Sequence, residues 1–327
     1  MAVAQDIISA DIPRPIRPER TRADRAFRLV AGGAGLVTLV LLFLIGLFLL
    51  LRAVPTFREN GLSFFTTTDW NPAVPHHTGV AALLYGTFAL AVIALVLAVP
   101  VSLLTALCLT EYVAPRLRAP LVTVLDLLAA VPSLIYGIWG FFFLQPHLLG
   151  VSQWLTDNLG FIPIFSAPDG PYFSQSPFLS GVVVALMLTP TATAVMREVF
   201  SQTPPGEKEA ALALGSSRWR MIRTVVIPFG RGGIVGGSML ALGRAMGESI
   251  SVAILLSAAF RISPHVLETG GNTIGAHIAN RFGDADAKYG LPALMGAGLV
   301  LYASTLVVNI GASEIIRRSR SGAGVEI

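Results

Sequence analysis

Long apolar runs separated by short polar connections set the pattern of this chain. A bilayer's hydrocarbon core is about 30 Å thick, so a helix crosses it with roughly 20 mostly apolar residues. Six runs meet that length: 29–51, 79–110, 121–144, 178–196, 234–260 and 291–310. The second has 32 residues, more than a straight span requires, and predicts a helix that tilts, projects from the bilayer or bends at Pro100. The first follows an Arg-rich tail, as a signal peptide does. Its apolar core is longer than an h-region of about 7–15 residues, and the following LRAVP is a poor cleavage site, so it reads as an uncleaved helix.

Composition agrees with the pattern. The 327 residues are 54% hydrophobic and 13% charged, with a mean hydropathy of +0.70. A soluble domain carries about 25% charged residues, so a soluble enzyme is excluded in favour of one polytopic bundle. Cys108 is the single cysteine, which rules out an intrachain disulfide and a thiolate metal cluster. The pI near 9.6 reflects basic residues in the loops. With the N-terminus inside, 17 of the 23 Lys and Arg fall on inner segments, 5 on outer loops and one, Arg244, within a span. The positive-inside rule therefore selects an N-in, C-in topology. The tail residues Arg14, Arg17, Arg20, Arg22, Arg25 and Arg28 then mark orientation and contact with anionic lipid, not nucleic acid.

The expected organisation is a tail at 1–28, a first span at 29–51 and an outer loop at 52–78. A five-span core follows at 79–310, with an inner loop at 197–231, and a tail at 311–327 closes the chain. The outer loop at 145–177 has no basic residue but contains Trp154, Phe161, Phe165, Tyr172 and Phe173. These aromatics fit the membrane interface; the alternative is a docking surface for an exported partner. His76 and His77 have no third ligand at metal-binding spacing. No internal repeat marks an inverted-topology transporter. The two lysines, Lys208 and Lys288, follow Glu207 and Ala287, so neither completes the Gly-Lys-Ser/Thr of a phosphate-binding loop. GxSxG and HExxH motifs are also missing.

The inner loop reads REVFSQTPPGEKEAALALGSSRWRMIRTVVIPFGRGG. Pro204, Pro205 and Gly206 stop one helix, and Glu207 and Glu209 open another where acidic side chains suit the positive end of the helix dipole. Ala210, Ala211, Leu212 and Leu214 favour a short helix, and Gly215 offers a left-handed exit. A stiff helix here could act as a lever, or lie on the membrane as an ordinary loop helix. Glu209-Ala210-Ala211, three residues, Gly215, nine residues and Val225-Val226-Ile227-Pro228 resemble the EAA motif of ABC importer permeases. Val225 and Ile227 are conservative departures from its Ile and Leu. The resemblance implies a coupling helix, with Glu207, Glu209, Ala210, Ala211, Gly215 and Pro228 at the junction with a separate ATPase. It also implies the type I ABC importer permease fold with six transmembrane helices, all-α and integral to the membrane.

Four further segments resemble the permeases of phosphate-specific ABC importers: GLSFF…WNP at 61–72, LLAAVPSLIYGIWGFFFL at 127–144, REVF at 197–200 and MLALGRAMGESISVAILL at 239–256. The first favours one subunit over its PstA-type sister. The implied partners are a PstA-type permease, two PstB-type ATPase subunits that bind ATP and Mg, and a PstS-type phosphate-binding protein. The chain itself would hold no cofactor and no catalytic site. A permease for sulfate or molybdate shares the EAA loop and is the nearest alternative. A channel or secondary transporter with a similar loop is a more distant one.

Arg244 and Glu248 interrupt the fifth apolar run. An Arg at a span's centre costs at least about 2.5–3.5 kcal/mol on insertion scales. Their i, i+4 spacing predicts one helix face with Gly237, Ala241 and Ser251, turned toward another helix or a water-filled path. Gly236, Gly243 and Gly247 flank it. Either Arg244 and Glu248 form a buried structural ion pair, or Arg244 presents its planar fork to a passing oxyanion while Glu248 holds the fork in place and stops the anion binding too tightly to leave, with Ser251 on the same path. The family resemblance implies the second. Asp126 reads as a solvated or capping acid, and Thr189, Pro190, Thr191 and Thr193 as cavity-lining candidates.

Overall fold

The computed structural model describes residues 22–74, 76–168, 170 and 173–320, with side chains placed over 24–314 of these. Arg14, Arg17, Arg20 and Tyr172 lie outside the described residues. The chain divides into two compact units, Met1–Phe48 and Leu49–Ile327.

The first unit contains most of α1, Arg22–Asn60. Phe27, Leu39, Phe43 and Phe48 are all exposed on it. A helix that is apolar on every side belongs in lipid.

The second unit is a helical bundle whose described residues form isolated bridges, Trp70 with Thr78 and Ala258 with Gly271, and no strands. After the short α2, Ser63–Thr66, α3 runs Ala81–Leu107 and continues as a π-helical turn, Cys108–Tyr112. The combined helix has 32 residues and passes Pro100 without a break. It packs along α7, Pro177–Ser201. The contact is a seam of small residues: Ala91, Ala94 and Ala98 on α3 are buried, and a Cβ on Gly181 of α7 would fall 2.4 Å from Ile93. Seams of this kind bring helix backbones close where lipid removes the usual hydrophobic drive. Polar groups fasten them: Ser102 Oγ donates to the Thr189 carbonyl at 3.1 Å. Thr189 Oγ1 donates to Ala185 O at 2.8 Å, beside the carbonyl that Pro190 leaves without its helical donor.

Among the described residues, five helices are long and apolar enough to cross a membrane: Asp24–Asn60, Ala81–Tyr112, Ser133–Leu159, Pro177–Ser201 and Gly290–Glu314. A sixth qualifies only as a bent pair, Arg218–Phe229 with Arg231–Gly247 at 68°. The expected third span at 121–144 is not one continuous helix. Helix α4, Pro115–Ala130, ends before Val131 and Pro132, which are extended. Pro132 lacks the N–H that would continue the helix and disfavours helical torsions at Val131. The helix long and apolar enough to span follows, built from α5, Ser133–Trp139, a π-helical stretch at Gly140–Leu144, and α6, Gln145–Leu159. Asp126 lies on α4 and not on that longer helix.

The connecting loop forms α8, Pro205–Ala213, then α9, Arg218–Met221, a π-helical stretch at Ile222–Val226, and α10, Ile227–Phe229. The expected fifth span at 234–260 is α11, Arg231–Gly247, followed after a break by α12, Ile250–Leu255. α11 packs against both α7 and the last helix, α14, Gly290–Arg320. α13, Ile274–Arg281, lies against α3, α12 and α14. The outward sides of α3 and α4 are apolar and exposed, including Val92, Val96, Val101, Leu121, Val124 and Leu127. An apolar patch of that extent on a soluble monomer would be a liability; around a membrane bundle it faces lipid.

Candidate functional site

Arg244 sits on α11, one helical turn after Ala241, which is buried against the core shared with α3 and α7. Its guanidinium Nη1 donates to Thr191 Oγ1 on α7 at 3.1 Å. Both residues are half-buried. Gly237, two turns earlier on the same side, allows the approach: a Cβ there would fall 3.1 Å from Ala192 O and from Met196.

The predicted face does not continue to Glu248. Helix α11 ends at Gly247, Glu248 is extended at φ −69° and ψ 128°, and Ser249 is non-helical at φ −122° and ψ −58°. The i, i+4 relation therefore fails, and no ion pair joins Arg244 to Glu248 among the described residues. Glu248 turns instead to the next helix, where Ser251 Oγ donates to its Oε1 at 2.9 Å. Ser251 is fully buried; a Cβ on Gly137 of α5 would lie 2.8 Å from its Cα. The break carries the same contact on its other side, where a Cβ on Gly275 of α13 would fall 2.9 Å from the Glu248 carbonyl oxygen. An unwound point with a basic side chain on the helix before it and an acidic one in the break itself is a usual form of a site within a membrane bundle.

The second candidate region is the connecting loop. α8 has no buried residue, and Glu207, Glu209 and Ala210 are exposed. Ala211 packs partly on the core, as does Ile227 further along the motif, and Val226 is buried within it. The helix ends as the sequence indicates: Gly215 has φ +80°, its N–H donates to Leu212 O at 2.9 Å, and Ser216 N–H donates to Ala211 O at 3.2 Å. That pair of bonds is a Schellman ending, which needs a left-handed residue at the position of Gly215. Leu212, Leu214 and Trp219 expose their apolar side chains beside it, Leu214 at 88%. Ser217 caps α9 by accepting from Arg220 N–H at 3.3 Å. Pro228 is exposed on α10.

At the other end of the bundle, the segments that carry the resemblance at 61–72 are packed rather than free. Phe64 is fully buried, and its carbonyl accepts from Val80 N–H at 2.8 Å. Trp70 meets the ring of His277 edge-on at 4.4 Å. Asn272 Oδ1 accepts from Thr273 N–H at 3.0 Å, which turns its Nδ2 toward His277 Nδ1 at 3.3 Å. The His277 pKa falls to about 4 because burial, and secondarily the Arg281 charge, oppose protonation of the ring. Of the aromatics expected at the interface, Trp154 and Phe161 are exposed, but Phe173 is buried. Two ion pairs had no periodic signal in the sequence: Arg261 Nη2 to Glu268 Oε2 at 3.2 Å and Lys208 Nζ to Glu111 Oε1 at 2.6 Å. The first lies within the non-helical connection between α12 and α13 and the second joins residues 97 apart in sequence, so spacing along one helix could not reveal either.

A lipid-facing helical bundle with a broken, charged span and an exposed Gly-capped helix defines a membrane permease of the type I ABC importer fold. The chain belongs to the family of binding-protein-dependent transport system inner membrane components, whose pattern matches residues 98–318, and it is a multi-pass inner-membrane protein. It is 40% identical over 303 residues to the phosphate transport system permease protein PstC 2 of Mycobacterium tuberculosis, covering 92% of this chain and 93% of that one. The phosphate transport system permease protein PstC of Xylella fastidiosa is 40% identical over 91% of each chain. A probable phosphate transport system permease protein PstC of Methanocaldococcus jannaschii is 34% identical, over 90% of this chain and 94% of the other. Among solved structures, a bacterial ABC transporter involved in alginate import matches with a TM-score of 0.60 over 97% of this chain and 99% of that one, at 17% identity. At that identity the likeness concerns the fold.

Proposed function

We propose that this chain is the PstC-type permease subunit of an ATP-driven importer of inorganic phosphate. The observation that carries the reading is the 34–40% identity, across nine-tenths of the chain, to proteins named phosphate transport system permeases. The partners are a PstA-type permease, two PstB-type ATPase subunits that bind ATP and Mg, and a PstS-type phosphate-binding protein. The assembled complex is the phosphate-importing ATPase; this chain performs no bond chemistry.

The excess of Lys and Arg on the tails and on the loop at 197–231 supports a cytoplasmic position for that loop. There α8 offers Glu207, Glu209, Ala210, Ala211 and the Gly215 ending to the ATPase, with apolar Leu212 and Leu214 to fill a groove. Closing of the ATPase dimer on ATP displaces α8 and shifts the bundle between inward- and outward-facing states. The chain contributes the difference in stability between those states. Within the bundle, Arg244 is the anion contact. Thr191 fixes its guanidinium, leaving further N–H donors for a phosphate oxygen. Glu248, on the unwound segment, repels the anion once it has passed and keeps it from binding too tightly to leave.

The test is uptake of labelled phosphate at limiting concentration, with sulfate as competitor, in cells lacking the chain, carrying it, or carrying Arg244→Ala at matched membrane abundance. Uptake that requires the chain, resists sulfate and collapses in the variant is the expected result. Competition by sulfate would reassign the substrate, and uptake that survives Arg244→Ala would remove Arg244 from the path.

A further inference from the structure

Helix α8 buries none of its own residues, yet a lever must be joined to what it moves. The strongest polar connection from it leads to the end of α3. Lys208 Nζ lies 2.6 Å from Glu111 Oε1, with the lysine side chain 21% and the glutamate 6% exposed. Glu111 belongs to the π-helical turn Cys108–Tyr112. Two more cations hold the same five residues. Arg218 lies over the Tyr112 ring at 5.2 Å. Arg118 donates through Nε to Leu109 O at 2.8 Å and through Nη2 to Thr110 O. The turn is therefore fixed by Arg118 from α4, Lys208 from α8 and Arg218 from α9.

A surface ion pair transmits little, because water and salt screen it and the side chains wander. The Glu111 carboxylate is nearly dry, so this pair is short, poorly screened and confined to one geometry. π-helical turns recur where a helix has a mechanical or functional task, because the extra residue leaves the local ladder deformable. The partner of that turn is α3, whose small-residue seam against α7 forms the core of the bundle.

We propose that Glu111 and Lys208 form the latch that carries displacement of α8 to α3, so that they are positioning residues for the coupling of ATP hydrolysis to transport. The inference rests on the importer reading above. Without the latch, α8 moves with the ATPase while α3 is left behind.

The experiment uses the whole complex reconstituted in liposomes with its binding protein, measuring ion uptake per ATP hydrolysed and the amount of ATPase subunit that co-purifies. Glu111→Gln and Lys208→Met are each expected to lower phosphate uptake per ATP about tenfold, the size of a typical coupling free energy, with unchanged co-purification. The double variant should be no worse than either single one, as for two partners in one interaction. Lys208→Arg keeps the charge and should stay within about twofold of the original. Unchanged uptake per ATP in the single variants, losses that multiply in the double variant, or loss of the ATPase subunit from the complex would each overturn the latch. Failure of the intact complex to import either phosphate or sulfate with ATP would end the importer reading and the latch with it. Import of sulfate in place of phosphate would end only the substrate assignment, and the same ratios are then read on sulfate.

Discussion

Arg244 on α11 and Thr191 on α7 meet through a guanidinium-to-hydroxyl hydrogen bond of 3.1 Å, 53 residues apart in sequence. The bond selects one rotamer of a long side chain that would otherwise sample many, and ordering it in advance lowers the entropic cost of receiving an anion. Thr191→Val removes the acceptor at nearly constant shape. It should lower phosphate uptake by about tenfold or more, in keeping with the 1.5–3 kcal/mol or so of a hydrogen bond to a charged group, while Thr191→Ser retains most of it. Equal uptake by both variants in labelled-phosphate assays would separate Thr191 from the function of Arg244.

Gly215 has φ +80°, and a Cβ on it would have no neighbouring atom within 4 Å, so an added methyl group meets only its own backbone. Gly215→Ala should therefore cost about 1–2 kcal/mol, the left-handed penalty of an L-residue, and Gly215→Asn less. Thermal unfolding of the detergent-solubilised protein would show that order; a larger cost for Asn would point to an unseen steric contact.

Gly86 and Gly150 make opposite predictions for the same substitution. A Cβ on Gly86 would lie 2.0 Å from the Asn272 carbonyl oxygen, and on Gly150 it meets nothing within 4 Å. Gly86→Ala must push the 270–274 segment from α3 and should destabilise by about 1–3 kcal/mol or more. Gly150→Ala, within α6, should be neutral or stabilising by up to about 1 kcal/mol from helix propensity. Melting temperatures of the two variants decide it.

His277 carries a pH dependence with a defined sign. Its pKa is depressed from 6.5 to about 4, so the folded state favours the neutral ring. The corresponding stability is complete above pH 6.5 and is lost as pH falls through that value toward 4. The full difference is about 3 kcal/mol at about 1.36 kcal/mol per unit of pKa. Melting temperature should fall over that window in the original protein and fall less in His277→Gln. Parallel curves would place the acid sensitivity elsewhere.

Much of the architecture was legible because a bilayer imposes its thickness on sequence. The runs at 79–110, 178–196 and 291–310 became Ala81–Tyr112, Pro177–Ser201 and Gly290–Glu314. The coupling-type helix and its left-handed end were legible for a local reason, since Pro, acidic residues and Gly determine starts and stops over a few positions. The run at 121–144 misled because apolarity continues across Val131–Pro132, and hydropathy does not register a missing N–H. The run at 234–260 misled for a related reason: periodicity assumes an unbroken helix, so Gly247 and Glu248 read as part of a small and polar stripe and not as the stop they form.

The sequence by itself determined the membrane class, the family and the identity of the costly residues, Arg244 and Glu248, because composition, local start and stop signals and a charge in an apolar run are properties of neighbouring residues. Tertiary structure alone decided what those charges do to one another. It gave Arg244 to Thr191, Glu248 to Ser251 and Lys208 to Glu111. Each choice depends on which helices touch and where a helix unwinds. Those outcomes are set by close approach at residues such as Gly137, Gly181 and Gly275, whose missing side chains act only on partners distant in the chain.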